Sequence, residues 1–299
     1  MNVECSACGA VLEAPGEART FSCPYCASPS VVERPPSPDR PNPSFALTFE
    51  LDQKAACEAV RAWARRQGLF AHGGLVRAPL EGVRGVYVPT YLYGALLRAQ
   101  YQAEIGENYT TTETYTTTDS KGNTTTHTRT VTHTEYRPLA GEYVSYVTDV
   151  IVTASRAIQN EVLERLEPFD LRALRRYAAP LVSGWMAEEP TLARYDCLQL
   201  ARGETSAQAS TRLAAFMPGD SHRRLTFTAQ VEQETADLLL VPLWVIALRL
   251  DPEKPPTRVV VNGQTGLVYG KAPISVIKVL IAIAIVVAIV LGLYLAGRR

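Results

Sequence analysis

Hydrophobic residues are unevenly distributed along the chain, and the longest apolar run lies near its C-terminal end. Val279 to Ala296 form 18 consecutive uncharged positions, preceded by Lys278 and followed closely by Arg298 and Arg299. At about 1.5 Å per residue such a run spans about 27 Å, close to the hydrocarbon thickness of a bilayer. The pattern therefore predicts one transmembrane helix within residues 273–297, in preference to a buried core helix.

The central part of the chain, residues 45–272, mixes strand-like and helix-like patterns without strict alternation. Strands are predicted at Phe45–Leu51, Val83–Tyr101, Arg224–Thr235, Leu238–Leu250, Thr257–Val261 and Leu267–Tyr269. Helices are predicted at Gln53–Gln67, Ala157–Leu166, Leu171–Tyr177 and Thr191–Phe216. Asp52 is the expected N-cap of the first helix, and Gly203 is expected to interrupt the last. This arrangement favours an α+β fold over a doubly wound sheet.

A threonine-rich stretch, residues 109–136, predicts a long β-hairpin that turns at Asp119–Asn123 with Gly122 in the left-handed conformation. The predicted register pairs Thr114 with Thr128, Glu113 with Arg129 and Tyr115 with His127. Neither face is apolar enough to build a core, so we expect the hairpin to project into solvent. Its role is left open between a solvated or protein-contact element and a surface-binding threonine ladder.

Two further features concern organisation. Prolines are dense in residues 33–44, which predicts a semi-rigid linker that holds an N-terminal unit, residues 1–32, away from the main body. We therefore expect the N-terminal unit to tumble semi-independently. Val86–Tyr93 and Leu239–Ile246 both place an aromatic residue two positions after proline, and the choice between an internal repeat and chance similarity stays open.

Four of the six cysteines form two Cys-x-x-Cys pairs, Cys5 with Cys8 and Cys23 with Cys26. Two such pairs bring four thiolates to one ion at about 2.3 Å, which is the closed shell typical of structural zinc. A unit as short as residues 1–32 needs the metal to fold. The pattern predicts a zinc ribbon with one structural Zn²⁺ per chain, in preference to disulfides or a redox pair.

Charge limits the partners that this ribbon can recognise. The chain carries 30 basic and 30 acidic residues, so no field of the whole protein favours nucleic acid. Residues 1–34 contain two arginines, four glutamates and no lysine. Modules that follow phosphates are basic, so a structural or protein-contact ribbon is favoured over a nucleic-acid-binding one.

The sequence contains no recognisable catalytic motif. His127 and His133 lie about 20 Å apart on one predicted strand and cannot share a metal ion. The glycine-rich segment Asn262–Gly266 lacks the basic residue of a phosphate loop and is interpreted as a hairpin turn. Cys57 and Cys197 are interpreted as inert core thiols. The chain is therefore expected not to be an enzyme, and the sequence identifies no small-molecule substrate.

The cellular location of the protein is predicted from the C-terminal apolar run and from the composition of the first ten residues. Met1 to Ala10 contain Glu4 and lack the basic start and apolar core of a secretory signal. We therefore expect a tail-anchored membrane protein whose bulk faces the cytosol, where thiols stay reduced.

Several strings together resemble a family of bacterial membrane-anchored zinc-ribbon proteins. They are the four ribbon cysteines, Val86–Tyr91, Glu167–Asp170, Gly184–Glu188, Val241–Trp244, Val261–Gly266 and Gly270–Pro273, followed by the apolar run. Members of this family are often labelled as relatives of a primosomal replication helicase, although helicase motifs are absent from this sequence. Other members resemble partners in phage-shock-type membrane-stress assemblies. The resemblance implies an adaptor at the inner membrane and names no substrate.

Two hypotheses follow. The first is a tail-anchored scaffold that recruits cytosolic protein partners to the membrane, including in a membrane-stress response. The alternative is a membrane-tethered nucleic-acid-binding protein associated with replication.

Overall fold

A computed structural model of the chain describes residues 2–13, 23, 25, 31–34, 41–118, 124–250 and 256–296. Three predictions lie outside these residues: the ligand Cys26, the central part of the proline-rich linker and the hairpin turn at Asp119–Asn123. The chain divides into two compact units. Unit 1 comprises Met1–Leu92, Ile151–Cys197 and Asp237–Arg299, and unit 2 comprises Tyr93–Val150 and Leu198–Ala236.

The described strands belong to one large mixed sheet. They are β1 Asn2–Cys5, β2 Val11–Glu13, β3 Val31–Arg34, β4 Phe45–Ala46, β5 Leu80–Thr118, β6 Thr124–Thr153, β7 Arg175–Arg176, β8 Met186–Glu188, β9 Ser221–Leu248, β10 Thr257–Asn262 and β11 Val268–Gly270. Their order is β11-β10-β9-β5-β8-β2-β1-β3, with β6 paired to β5 and β4 paired to β7 and β9. Most characterised pairs are antiparallel, whereas β4–β9 and β5–β8 are parallel.

Helices accompany this sheet. They are α1 Gln53–Arg65, α2 Asn160–Glu164, α3 Ala179–Val182, α4 Arg194–Phe216 and α5 Val276–Ala296, with a short 3₁₀ helix at Leu171–Ala173. Asp52 caps α1 as predicted, because its side chain accepts a hydrogen bond from the Ala55 amide at 2.7 Å. Helix α4 continues through Gly203 without the expected interruption.

The strands are longer and more continuous than the sequence pattern indicates. Val83–Tyr101 is only part of the 39-residue strand β5, and the two segments predicted between Arg224 and Leu250 form the single strand β9. The helix predicted at Leu171–Tyr177 is wrong, because the segment leaves the 3₁₀ turn and pairs Arg175 and Arg176 with β4. The fold is thus a large mixed sheet with helices. The sheet is larger than expected for the predicted α+β fold with a separate hairpin.

The core of unit 1 lies where β5, β9 and β10 pass side by side. Thr90 on β5 is buried and donates its hydroxyl to the Leu239 carbonyl at 3.0 Å. The predicted turn at Asn262–Gly266 joins β10 to β11, with the Gly266 amide bonded to the Asn262 carbonyl at 3.0 Å and Gly266 at φ +74°. Both Val-Pro segments lie in the adjacent strands β5 and β9, and the internal repeat stays a prediction.

The described N-terminal residues, where the sequence predicts a zinc ribbon, pack into this same core. Strand β2 pairs with β8, placing Leu12 opposite Glu188, and β8 in turn pairs with β5. The side chains of Leu12 and Tyr25 are buried in one apolar cluster with residues of β5 and β9 such as Val86. The expectation that a linker holds the ribbon away from the body is therefore wrong, because the ribbon extends the body's sheet and shares its core.

Unit 2 contains the threonine-rich strands in the predicted register. The guanidinium of Arg129 forms an ion pair with Glu113 at 2.8 Å, and the His127 ring stacks on Tyr115 with centroids 5.4 Å apart. The His133 ring stacks on Tyr109 at the same spacing. These contacts place Thr114 and Thr128 opposite each other, and most side chains of both strands are exposed.

A polar network fixes helix α4 within unit 2. Glu234 on β9 accepts two hydrogen bonds from the Arg202 guanidinium at 2.6 Å and one from the Tyr93 hydroxyl at 2.5 Å. These donors hold the pKa of Glu234 down to about 2, with the Arg202 hydrogen bonds as the largest cause. Burial, followed by the hydrogen bond to Glu234, raises the pKa of Tyr93.

Candidate metal centre

Three of the four predicted zinc ligands meet at one point in unit 1. The Sγ atoms of Cys5, Cys8 and Cys23 all lie within 4.8 Å of one another, and those of Cys8 and Cys23 are 3.5 Å apart. Tetrahedral zinc with bonds of about 2.3 Å separates its sulfur ligands by about 3.8 Å. The donor set therefore fits a thiolate-bound metal ion. A closed ribbon site needs a fourth ligand, and the predicted one, Cys26, lies outside the described residues.

The backbone of the first pair explains why Cys5 and Cys8 point to the same place. The Gly9 amide donates to the Cys5 carbonyl at 2.8 Å, and the Cys5 amide donates to the Ala10 carbonyl at 2.8 Å. Gly9 has φ +72°, in the left-handed region that favours glycine. Backbone hydrogen bonds thus shape the turn after β1, and this turn directs the thiols of Cys5 and Cys8 to the same place.

The site is closed to solvent on its inner side. Cys5 and Cys23 are each 1% exposed, and Cys8 is partly exposed. Cys5 and Cys23 belong to the apolar cluster that also contains Ile151 and Leu163. The thiol cluster therefore borders the core of unit 1.

A buried carboxylate joins the ribbon to the body beside the cysteines. Glu188 on β8 is 3% exposed, and its two oxygens accept hydrogen bonds from the Tyr25 hydroxyl at 2.5 Å and the Ser155 hydroxyl at 2.6 Å. Tyr25 lies between Cys23 and Cys26 in the chain. One carboxyl group thus ties Tyr25, two positions after Cys23, to the segment after β6.

Burial controls the protonation of this group. Removal from water raises the pKa of Glu188 to about 8, against the opposing hydrogen bonds from Ser155 and Tyr25. Burial, followed by the charge of Glu188, raises the pKa of the Tyr25 phenol well above its usual range. With both oxygens occupied by hydroxyl donors, Glu188 acts as a structural partner of the ribbon.

The arrangement suits a structural metal better than a catalytic one. A fourth thiolate would complete a shell with no position for water, which is the pattern of structural zinc. The hydroxyl and carboxylate groups next to the site bond to one another across the ribbon–body contact. Metal binding here would hold β1 and β2 against β8.

The two remaining cysteines lie outside the cluster, as predicted. Cys197 at the start of α4 is fully buried, and burial raises the pKa of its thiol to about 11. Cys57 on α1 is partly buried against a second apolar cluster, and burial again raises its thiol pKa. Raised pKa values disfavour the reactive thiolate, consistent with inert thiols.

The apolar helix α5 is a second feature that bears on function. Among the described residues, α5 is the one helix long and apolar enough to cross a membrane, with 21 residues from Val276 to Ala296. None of its most apolar stretch is buried against the rest of the chain. An exposed apolar surface of this kind marks an interaction with lipid or with another protein.

Sequence reasoning missed Glu188, Ser155 and Tyr25 as parts of the site. Glutamate is rarely fully buried, so nothing in the pattern around Glu188 marks it as an interior group. Glu188 does end one of the strings that carry the family resemblance, Gly184–Glu188, and Tyr25 stands inside a Cys-x-x-Cys pair. Their places in these two motifs are the sequence features that could have identified Glu188 and Tyr25.

Comparison with known proteins adds a distant relative. The chain is 23% identical over 244 residues to YdjG of Bacillus subtilis (strain 168), which is described as an uncharacterized protein. The match covers 78% of this chain and 64% of that relative, so it spans less than two thirds of the relative's length. No protein-family model matches the chain. No solved structure matches it significantly.

Proposed function

We propose that this chain is a tail-anchored adaptor of the bacterial inner membrane that recruits cytosolic protein partners. Helix α5 supplies the anchor, and a zinc-bound ribbon stabilises the body. The observation that carries the proposal is α5 itself, an apolar helix of 21 residues that remains exposed along its length. Water disfavours such a surface, whereas a bilayer accommodates it.

The metal has a structural role in this proposal. Zinc held by Cys5, Cys8, Cys23 and Cys26 clamps the ribbon onto β8 and the core behind it. The shared apolar cluster and the Glu188 hydrogen bonds support a clamp rather than a flexible recruiting arm. Partners would then meet a fixed surface.

In this proposal, partners bind to unit 2. The contact surface is the threonine-rich pair of strands in residues 109–136, which we take to project as a hairpin. Its strands expose Tyr109, Tyr115 and Tyr136 at 50%, 46% and 37% of their surfaces. Exposed tyrosines beside arginines are typical of protein interfaces. The resemblance to membrane-anchored zinc-ribbon proteins favours a membrane-stress assembly as the setting.

Truncation tests the anchor. Removing residues 276–299 should move the protein from the membrane pellet to the soluble fraction, because the variant lacks α5. A matched control fuses residues 276–299 to an unrelated soluble protein, which should then become membrane-bound. Membrane association of the truncated chain that survives a high-salt wash would contradict a single anchor.

A pull-down from detergent extract tests the adaptor role against nucleic-acid binding. Protein partners that remain bound after nuclease treatment would support the adaptor. Loss of every partner on nuclease treatment would favour the membrane-tethered nucleic-acid-binding protein. Deleting residues 109–136 should reduce partner recovery if unit 2 is the contact surface.

A further inference from the structure

The loop at residues 68–72, between α1 and β5, is attached to the start of α5. The Ser275 amide donates to the Phe70 carbonyl at 2.8 Å, and the His72 amide donates to the Pro273 carbonyl at 2.8 Å. The Lys278 ammonium donates to the Ala71 carbonyl at 2.9 Å. Loop 68–72 therefore sits beside the first turn of the apolar helix.

The tip of this loop is apolar and exposed. Leu69 is 88% exposed and Phe70 is 48% exposed. Phe70 also lines an apolar groove of about 340 Å³ on the side of α5, together with Val279, Ala282, Ile283, Val286 and Val287. These helix positions recur at the spacing of one helix face. The loop thus continues the apolar surface of α5 sideways.

Part of the loop backbone is hydrogen-bonded within the protein. A carbonyl or amide without a partner is costly in the apolar part of a bilayer. The Phe70 and Ala71 carbonyls accept bonds from the start of α5, and the Ala71 amide donates to the Gly68 carbonyl at 2.9 Å. These hydrogen bonds satisfy the part of the loop backbone that lies next to the start of α5.

The chain segments that flank the loop and lead into α5 carry charge of one sign. No acidic residue occurs between Glu58 and Glu81 or after Glu253 in the sequence. Among the described residues of these stretches, the exposed basic ones are Arg65, Arg66, Arg77, Lys271 and Lys278. Trp63 of α1 lies against Gly270, which brings the end of α1 close to the start of the Lys271 segment. Such a basic border around an apolar tip matches the surface of an anionic membrane.

We propose that loop 68–72 enters the headgroup region of an anionic phospholipid bilayer beside α5, so that the chain contacts the membrane at two places. The inference rests on the proposed tail anchor and adds a second, lateral contact to it. Leu69 and Phe70 are the apolar contacts, and the surrounding arginines and lysines face the lipid phosphates. The loop fixes the orientation of unit 1 on the membrane surface.

Tryptophan fluorescence in lipid vesicles tests the proposal on the full chain. Leu69→Trp should place an additional indole within reach of brominated acyl chains, so brominated phosphatidylglycerol vesicles should quench the added fluorescence at least twofold. Tyr146→Trp, at a position that is 69% exposed in unit 2, is the matched control and should not be quenched. Wild-type fluorescence is subtracted to remove the native tryptophans.

The outcomes separate this inference from the tail anchor. If the full chain does not float with the vesicles, the anchor proposal fails. If the chain floats but Leu69→Trp is quenched no more than Tyr146→Trp, only the loop inference fails. Failure of quenching together with chemical cross-linking into dimers would assign the groove to a second copy of the chain, which also overturns the lipid contact.

The charge of the lipid gives a second test. Quenching of Leu69→Trp should be at least twofold weaker in brominated phosphatidylcholine vesicles than in brominated phosphatidylglycerol vesicles. Adding Arg65→Gln, Arg66→Gln and Arg77→Gln should remove that difference while the chain still floats with both lipids. Equal quenching in both lipids before the substitutions would show that the basic border does not bind lipid phosphates.

Discussion

The ribbon in unit 1 and the threonine-rich strands in unit 2 use their side chains in opposite ways. The ribbon buries Leu12, Cys23 and Tyr25 in a core that it shares with strands far away in the sequence, such as β5 and β9. The strands of 109–136 expose threonines, tyrosines and the Glu113–Arg129 pair, and their main contacts are with each other. A change in the ribbon should therefore reach the whole core, whereas a change in the exposed strands should remain local.

Burial sets the scale of that difference. Each buried apolar side chain contributes about 1.5–3 kcal/mol relative to an exposed one. An exposed ion pair contributes at most about 1 kcal/mol. Three tests, taken in order of expected effect, compare the ribbon and the exposed strands, with a partly buried ion pair of unit 2 between them.

The largest effect is expected at the metal site. Cys8→Ser should abolish metal binding and lower the free energy of unfolding of the full chain in detergent by more than about 4 kcal/mol, because ribbon and body share one core. Metal content by mass spectrometry and urea unfolding measure the two effects. A chelator added to the wild type should reproduce both.

Cys57→Ser is the matched control, since Cys57 lies outside the thiol cluster. It should keep the metal and most of the stability. If Cys8→Ser lost its metal while the unfolding of the body changed by less than about 0.5 kcal/mol, the ribbon and body would behave as independent sites. The shared core would then contribute little.

Local patterns explain what the sequence predicts well. The Asp52 cap and α1 depend on residues close together in the chain, and both are found. The register of the threonine-rich strands follows from a short turn and from cross-strand partners such as Glu113 and Arg129, and the observed contacts agree with it. The apolar run that predicts a spanning helix is likewise a property of one continuous segment.

Long-range pairing explains what the sequence does not reveal. Strand β2 pairs with β8, and the Tyr25–Glu188 hydrogen bond joins residues 163 positions apart. The proline-rich composition of residues 33–44 describes only the local chain and says nothing of what the ribbon touches. The spacing predicts four cysteine ligands, and the structure brings the thiols of three of them, Cys5, Cys8 and Cys23, together. The buried Glu188 and Ser155 depend on a contact that no short pattern encodes.

An intermediate effect is expected from the Glu234 network of unit 2, at low pH. The folded pKa of Glu234 is about 2, against an ordinary value of 4.5, so its stabilisation is complete above about pH 4.5 and is lost as pH falls toward about 2. Because Arg202 is 41% exposed, the loss should be about 1–2 kcal/mol after allowance for solvent screening. Urea unfolding as a function of pH measures it.

The control for this pH dependence is a charge-neutral variant. Glu234→Gln should be less stable than wild type at pH 7, and the difference should shrink as pH falls through the same range. Arg202→Gln should remove most of the same pH-dependent stabilisation, since it deletes the main donor to Glu234. A wild-type advantage that stays constant down to pH 2 would show that this ion pair does not stabilise α4.

The smallest effect is expected from the exposed pair in the threonine-rich strands. Glu113 and Arg129 are 44% and 65% exposed, and their ion pair is 2.8 Å long. A double-mutant cycle with Glu113→Gln and Arg129→Gln should give a coupling energy below about 0.5 kcal/mol, decreasing further in high salt. Replacing Arg129 by Glu should weaken strand pairing locally, because like charges would then face each other. A coupling above about 2 kcal/mol, or loss of metal from Cys8 in the Arg129→Glu variant, would mean that the exposed strands and the ribbon belong to one cooperative structure after all.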